Sequence, residues 1–595
     1  MAGHGMFGKF IGELKRRNVP RAALLYIGSV WALAQGISEL GSAVGAPDAS
    51  TLWFLIAAGI GFPFWLVFSW RYELTSQGFR LESEVEDDSP DARKVRRRTD
   101  IVIIAVLSIA VVLLVTDRLV DPPASSGEQA AASVENTIAV LPFANQSSDK
   151  EQQYFSDGLS EGFIVALARV QGLRVINRQS SFQFRGSKEP PQAIAAELGA
   201  SHLLEGSVRR LGQTVRISAS LVNAGDGTTV WAESFDRPYT DLFALQDQIT
   251  VRVAEALQAR LLPPPASQVH GDRPPSGNLD AYNAYLQGRS ASDSLQAIEG
   301  FDRAIRLDPA YGLAHAMKAR TWIDAVSGGL SGEEARRAFA QADEAIQLAL
   351  EHAPNQASTH IARGYLLMLR DFDWSGAERE LRRATELAPD DGEALFQLGV
   401  VRASQGDLRQ AVELTRKALQ LDPLNVVWQR WLAAYLMPLG QLDEAEQVLA
   451  DAIGKKPADL YSHHLLAIAK VLRKDAAAAQ RAAAEEPAGP WRDFALALAA
   501  QIGPDRAAAD AVLADVTARH ASGWAFQVAQ VHALRGEADA MFDWLQRALR
   551  ARDPGMQTLL YDALLLRYRD DPRYAALARE VGLPWPPAGK AAAGP

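Results

Sequence analysis

The chain has 595 residues, enough for several domains, and its 71 acidic against 61 basic residues leave a formal net charge of -10, so no global basic surface points to nucleic acid. It contains no cysteine, which excludes disulfides, thiolate metal sites and cysteine nucleophiles. The 10 histidines are scattered; His463-His464 is the only adjacent pair and no HExxH spacing occurs, so packing or surface exposure is expected of that pair and no cofactor or metal is expected of the chain.

Residues 1–21 carry Lys9, Lys15, Arg16, Arg17 and Arg21 and read as a basic N-terminus. Residues 22–40 and 52–70 are almost wholly apolar and long enough, at about 1.5 Å per residue, to cross a hydrocarbon layer of about 30 Å. Residues 101–116 form a shorter apolar run, expected as a third span with local thinning of the bilayer or snorkelling of Arg118. No basic residue lies in 41–51, whereas Arg71, Arg80 and Arg93 to Arg98 fill the loop 71–100. The positive-inside rule therefore places the N-terminus and that loop in the cytoplasm, and everything after about 120 in the periplasm of a Gram-negative cell. The first span is too long for a signal core, and a second follows it. The cluster Arg93 to Arg98 beside a span reads as an anchor for anionic lipid.

Residues 121–136 (DPPASSGEQAAASVE and the Asn after it) have no apolar period and read as a tether. From 137 to 262 a small α/β domain is expected. TIAVLPF is a buried strand, SDGLSEGFIVALAR a helix capped by Ser156, LRVIN a strand and QAIAAELG a short helix. Residues 201–237 alternate apolar and polar with turn signals at 211–213 and 225–227, predicting a three-stranded meander. A closing helix at 241–261 presents Leu245, Ile249, Val253 and Leu257 on one face. Its carboxylates Asp157, Glu161, Asp226, Glu233 and Asp236 sit where capping or solvation accounts for them. Gly158 and Gly162 match neither GxGxxG nor GxxxxGK[ST] and are expected to serve close helix-to-strand packing. Arg209-Arg210 is expected to guard an exposed strand edge.

Proline triplet 263–265 and GDRPPSG at 271–277 lead into residues 278–582, an all-α array. Pro389, Pro423 and Pro457 stand 34 residues apart, and the phrases they close share small residues at matching places: Gly399, Gly406, Ala411 and Ala418, then Ala433, Gly440, Ala445 and Ala452. Two amphipathic helices closed by a proline at this period resemble the tetratricopeptide repeat, a unit that buries its apolar face only by stacking on neighbours. Earlier phrases end at Pro309, at Pro354 after 45 residues with an inserted loop at 327–334, and at Pro389 after 35, the extra residue placed in DFDW at 371–374. Beyond 457 the pattern loosens: 475–486 is alanine-rich, 523–554 resumes as a degraded repeat, and 583–595 is expected to be a disordered tail. First helices line the concave face of such an array, and register places Tyr365, Phe396 and Arg430 there as candidate contacts for a protein or peptide partner; for the two aromatics, packing between helices is an equal expectation. No carboxylate-clamp pattern stands out among them.

The phrases IAVLPFANQSSDKEQQYFSDGLSEGFIVALARVQGLRVINRQSSFQFRG, LEGSVRRLGQTVRISASLVNAGDGTTVWAESFDR and LFALQD resemble, in the same order, the TolB-like amino-terminal domain that precedes tetratricopeptide repeats in many bacterial proteins. FIGELKRRNVPRAALLYIGSVWALAQ resembles the membrane leader of such proteins, and LLYDALLLRYRDDPRYAALAREVGLP their closing segment. In that family the pair of domains often sits behind a winged-helix regulator or a nucleotide cyclase domain, neither of which is recognisable here. The resemblance implies a multidomain protein: transmembrane helices, a small α/β domain and a tetratricopeptide superhelix acting as a non-catalytic scaffold. The alternatives are a signalling protein that transmits periplasmic binding to a cytoplasmic partner, and an enzyme using the TolB-like domain.

Overall fold

The computed structural model describes residues 137–147, 153–259, 272–327, 330 and 332–587, the strands Tyr72–Thr75 and Gly78–Leu81, and Tyr26, Val30, Ala58, Phe62 and Trp65. Apart from those five positions the expected spans lie outside the described residues, as do the cluster Arg93 to Arg98, the tether 121–136, the proline triplet 263–265 and positions 588–595 of the tail. Among the described residues no helix is long and apolar enough to cross a membrane. Two units divide the chain, Met1–Ala131 and Ala132–Pro595. In the first, strands β1 (Tyr72–Thr75) and β2 (Gly78–Leu81) pair antiparallel within the predicted loop, and the Tyr26 hydroxyl donates to the Ala58 carbonyl at 2.8 Å.

The second unit begins with a six-stranded mixed sheet. Strand β3 (Thr137–Val140) lies parallel to β5 (Arg174–Ile176) on one side and β6 (His202–Leu211) on the other, while β4 (Ala144–Asn145) also joins β6. Then β7 (Thr214–Asn223) and β8 (Thr229–Pro238) complete the predicted meander, giving the order β5-β3-β6-β7-β8. All four residues of β3 are buried, as a strand with parallel neighbours and helices on both faces requires. Period-two alternation divides them between two cores. Ile138 and Val140 face α1 (Gln153–Leu167) and α4 (Leu242–Ala256), whereas Ala139 faces α3 (Pro191–Leu198); the four-residue α2 (Arg178–Ser181) lies between β5 and α3 in the chain.

Two local expectations are corrected, and the strand-edge expectation is located. Helix α1 opens at Gln153 because Tyr154 and Phe155 extend its apolar face, so Ser156 is no cap; it is buried and its carbonyl accepts from the Ser160 hydroxyl at 2.9 Å. Arg209 and Arg210 pair with β7 on one side, while on the other the pairing of β4 with β6 ends at Val208 and the Arg210 amide donates to Ser147 Oγ at 2.9 Å; the Arg210 guanidinium lies 3.8 Å from the centre of the Tyr239 ring. Gly158 and Gly162 do allow close packing, but against helices and not a strand: a Cβ on Gly158 would meet Leu286 Cδ1 at 2.2 Å, and one on Gly162 would meet Gln246 Nε2 at 1.7 Å.

Eight helix pairs follow among the described residues: α5 (Leu279–Ser290) with α6 (Ser294–Leu307), α7 (Gly312–Ser327) with α8 (Gly332–His352), α9 (Ala357–Leu366) with α10 (Trp374–Leu387), and α11 (Gly392–Ser404) with α12 (Leu408–Leu421). The last four are α13 (Val426–Leu436) with α14 (Leu442–Lys455), α15 (Ser462–Leu472) with α16 (Ala476–Glu485), α17 (Pro490–Gln501) with α18 (Arg506–His520), and α19 (Ala525–Arg535) with α20 (Ala538–Ala551). Two complete pairs thus occupy the stretch where the sequence pattern loosens. In α16 the alanines do the packing, Ala479, Ala482 and Ala483 being buried. Helix starts are fixed by Asp or Asn caps, among them Asp293, Asp407, Asn425 and Asp475, whose side chains accept backbone N–H bonds. The third pair holds a π-helical turn at Leu367–Asp371, which reaches the first residue of DFDW and takes up the extra residue.

The sheet domain and the array are not packed as separate bodies. Tyr282, Tyr285 and Leu286 of α5 and Phe301 of α6 belong to the same buried core as Ile138, Phe163 and Ile249. Far along the array, Leu424 enters the core on the opposite face of the sheet, beside Ile176 and Leu198. The chain end also turns back: α21 (Pro572–Glu580) and its flanks share a core with α9 to α13, and Trp374 Nε1 donates to the Val581 carbonyl at 2.9 Å.

Gly300 tests the tight contact inside the first pair. A Cβ there would lie 2.5 Å from the Gly288 nitrogen, backbone that cannot yield, so Gly300→Ala is expected to lower stability by about 1–3 kcal/mol. Gly454→Ala, in a helix with open space around the new methyl, is expected to raise it by roughly 0.5–1 kcal/mol. Thermal unfolding of the two variants checks both signs.

Candidate functional site

The first helices of successive pairs carry the three residues singled out from register, and each meets different neighbours. Tyr365 of α9 is half-buried, its hydroxyl 3.1 Å from Ser327 Oγ, with the Arg320 guanidinium 4.6 Å from its ring centre. Arg320 in turn donates to Asp324 at 2.9 Å and Glu393 at 2.8 Å. Burial opposes the Arg320 charge, but these two carboxylates hold its pKa above the ordinary value. Phe396 of α11 is buried and stacks on Trp428 at 5.4 Å, so its ring is interhelix packing and is not offered to a partner. Arg430 of α13 is fixed by Asp459 at 2.9 Å and by the Leu460 carbonyl at 2.7 Å. Among the described residues no contact joins these three side chains into one site.

Beside Arg430 runs a group that register alone missed. Tyr461, Trp491 and Trp524 stand at the starts of α15, α17 and α19 and Trp431 in the second turn of α13, all half-buried, with successive ring centres 6.3, 4.3 and 4.6 Å apart. Their numbers differ by 30, 30 and 33, close to the repeat length, and that recurrence was the available signal. Behind them Tyr435 and Tyr561 meet edge to face at 5.3 Å, and Trp431 lies 6.4 Å from Tyr561. Tyr461 holds φ at 86°, a left-handed backbone that costs a non-glycine residue of order 1–3 kcal/mol. Glu486 compensates by accepting the Tyr461 N–H at 2.6 Å and the His464 N–H at 2.8 Å. His464 stacks on Tyr461 at 5.1 Å, and its Nδ1 is 2.9 Å from the Trp491 carbonyl.

The sheet domain covers another part of the array. Asp422, buried at the end of α12, accepts from the Ser180 amide at 2.8 Å and from the Ser180 hydroxyl, while that hydroxyl oxygen accepts the Leu424 N–H at 2.9 Å. The Asn177 amide donates to the Leu421 carbonyl at 2.7 Å. Burial raises the Asp422 pKa, and the bonds from Ser180 and Asn425 act against that rise. At the other joint Glu161 pairs with Arg289 and, at 3.5 Å, with Arg178.

The sheet-domain carboxylates singled out from the sequence each have a partner. Asp157 pairs with Arg185 at 2.7 Å, Asp236 takes both arms of Arg216 at 2.7 and 2.8 Å, Asp226 caps its own turn through Thr228, and Glu233 accepts from Trp231 Nε1 at 3.2 Å. Among the described residues no group of three or more His, Asp or Glu is placed to hold a metal ion.

Residues 402–469 match the family model of the tetratricopeptide repeat. The helical array is a tetratricopeptide repeat region. Over 209 residues the chain is 36% identical to the protein named "Putative adenylate cyclase 3" of Rhizobium meliloti (strain 1021), covering 34% of this chain and 35% of that one. It is 23% identical over 179 residues to mitochondrial import receptor subunit TOM70 of Rattus norvegicus, covering 30% of this chain and 27% of the receptor. The chain therefore spans about a third or less of the length of these curated relatives. Among solved structures, the pilF protein of Pseudomonas aeruginosa is 21% identical with a TM-score of 0.27, covering 34% of this chain and 85% of that one.

His464 gives this site a pH signature. Burial pushes its pKa down to about 4 from an ordinary 6.5, so between those values the unfolded chain binds more protons than the folded one. The stability held by neutral His464 is complete above about pH 6.5 and is lost as pH falls toward about 4. Between pH 7.5 and 5.0 the loss is expected to be about 2 kcal/mol. Urea unfolding at the two pH values should show a smaller difference for His464→Gln than for the unaltered chain.

Proposed function

We propose that this chain is a scaffold tethered to the bacterial inner membrane, with a TolB-like domain and its tetratricopeptide array on the periplasmic side. The observation that carries the reading is the array: a tetratricopeptide region is a protein-interaction surface, and the aromatic strip at Trp431 to Trp524 remains half-exposed on its first helices while the sheet domain and the chain end cover other parts. The scaffold performs no reaction of its own. The sheet-domain carboxylates act as structural ion pairs and turn caps, which supports that assignment. Tethering raises the local concentration of the array near envelope partners, so modest contacts hold them.

A second reading is favoured by one observation, the 36% identity to a relative whose name is that of an adenylate cyclase. In that reading the shared segment is a sensing or docking region, and here its occupancy is passed through the membrane spans to a cytoplasmic partner at Arg93 to Arg98.

Topology is testable because the chain lacks cysteine, so one introduced thiol reports its own compartment. Leu295, 64% exposed on α6, and Ser89 in the 71–100 loop are suitable positions. In cells with a permeabilised outer membrane, a membrane-impermeant maleimide is expected to label Leu295→Cys at once and Ser89→Cys only after the inner membrane is opened. The reverse order would invert the topology and remove the periplasmic scaffold.

A further inference from the structure

The sheet has two edges, and the fold treats them differently. Past β5 the end of α12 closes the edge, the Asn177 amide donating to the Leu421 carbonyl at 2.7 Å. On the far side β8 runs for 10 residues, and among the described residues no strand pairs with its outer side. Phe235 is the one buried residue along it. Which backbone groups are free follows from the ladder to β7. The Tyr239 amide donates to the Gln213 carbonyl at 2.7 Å, and in an antiparallel pair the backbone groups of successive residues turn to alternate sides. Arg237, Phe235 and Glu233 therefore turn their amides to β7, whereas Asp236, Ser234 and Ala232 turn theirs outward. Pro238 falls on the outward side as well, where its missing N–H costs the ladder nothing. A row of free N–H and C=O groups of this kind is a template for another strand.

The side chains specify which strand. Glu233, Phe235 and Arg237 share the face covered by α4, where Phe235 joins the core. Glu233 is loosely held, 3.9 Å from Arg252 Nε, and accepts from Trp231 Nε1 at 3.2 Å. Arg237 has no carboxylate partner among the described residues; it reaches Gln248 at 3.4 Å and donates to the Asp236 carbonyl at 2.9 Å, which places its guanidinium at the free edge. A second copy can pair antiparallel with this strand about a two-fold axis. The axis must pass through a residue, because an axis between two residues sets an outward amide against an inward one. Through Glu233, Asp236 or Arg237 it puts like charges face to face, which is destabilising. Through Ser234 it sets Phe235 against the partner's Glu233, and through Trp231 or Ala232 it leaves Arg237 beyond the partner's strand. Through Phe235 it lays Glu233 against the partner's Arg237 on both sides of the axis and sets the two Phe235 residues opposite each other.

We propose that two copies of this chain pair through β8, antiparallel about a two-fold axis at Phe235, so that their sheets become one continuous sheet. Ser234 and the partner's Asp236 exchange N–H and C=O bonds, and the Ala232 N–H donates to the partner's Pro238 carbonyl. The ladder ends there because proline has no N–H to return. Arg237 leaves the Asp236 carbonyl to the partner's Ser234 amide and takes the partner's Glu233 as its carboxylate. The interface is isologous, each copy giving one Glu233 and one Arg237 to the two cross-pairs. It lies at the sheet edge opposite to the one that α12 closes, so it does not compete with the Asp422 joint. This inference goes beyond the scaffold reading and does not rest on it; its consequence is an assembly carrying two repeat arrays.

Because the chain has no cysteine, Ser234→Cys in the full-length protein puts a single thiol at this edge. In the proposed register it is the diagonal neighbour of the partner's own thiol, about 7–8 Å away. A short bis-maleimide is expected to join Ser234→Cys chains into a covalent dimer and to leave Leu295→Cys, exposed on α6, at background. Sedimentation equilibrium of the full-length chain in detergent is expected to show a reversible dimer. Glu233→Arg and Arg237→Glu should each weaken it by about tenfold or more by facing like charges. The chain carrying both substitutions restores opposite charges across the axis and should dimerise within about threefold of the unaltered protein. An equimolar mixture of the two single variants should likewise recover dimer, as the heterodimer. Circular dichroism confirms that each variant is folded. Dimerisation unmoved by either single reversal, or not recovered by the double one in folded protein, overturns the proposal. So does a monomer at every concentration with Ser234→Cys cross-linking no better than Leu295→Cys. A Ser234→Cys adduct with a protein of different mass also overturns it, since the edge then belongs to another protein's strand.

Discussion

Asp422 stands at the end of a helix that a repeat of this length would terminate in any case, yet its carboxylate holds the Ser180 amide and hydroxyl from the sheet domain. Two residues on, Leu424 fills the core that α3 and the sheet leave open. The constraint behind this joint is simple: a sheet whose central strand is buried on both faces needs a cover on each. Its own helices supply only part of both covers. The array supplies the rest, through α5 on one face and the 421–425 turn on the other. Because those contacts are separated by more than four helices in the chain, the curvature of the repeats between them is fixed by the sheet as well as by their own stacking.

The returning C-terminal segment closes the structure in the same manner. A terminal repeat has an apolar face with no neighbour, and here Trp374, Leu577 and Val581 share one core with the eighth pair, so the array's end is capped by its own middle. The sheet domain and the returning segment therefore cover parts of the array from within the chain, while Trp431, Tyr461, Trp491 and Trp524 stay half-buried. Function is placed by what the fold has already used.

Much of this was legible in the residues. The proline spacing set the helix pairs, and alternation through 201–237 set the meander, because both report a periodicity that local chain geometry imposes. Ser156 misled because a serine beside an acidic residue has the composition of a cap, while two aromatic residues upstream carried the helix further. Phe396 was placed on the right helix but not on an open face, since register along one helix does not reveal that Trp428 of the next helix covers it. The joint at Ser180 and Asp422 joins residues 242 apart, and nothing in either local phrase specifies the other. The aromatic strip lay between these cases: its recurrence was in the sequence, but the contacts between its rings are a property of packing.

The central claim is that the sheet domain and the repeats form one body locked at Asp422. Amide hydrogen exchange of the full-length chain, with and without Asp422→Ala, measures it most directly. The account predicts that residues 177–184 and 421–425 are slow together in the unaltered protein and become fast together in the variant, while α17 to α19 keep their protection. Fast exchange at 177–184 in the unaltered chain, or no change there in the variant, would contradict it.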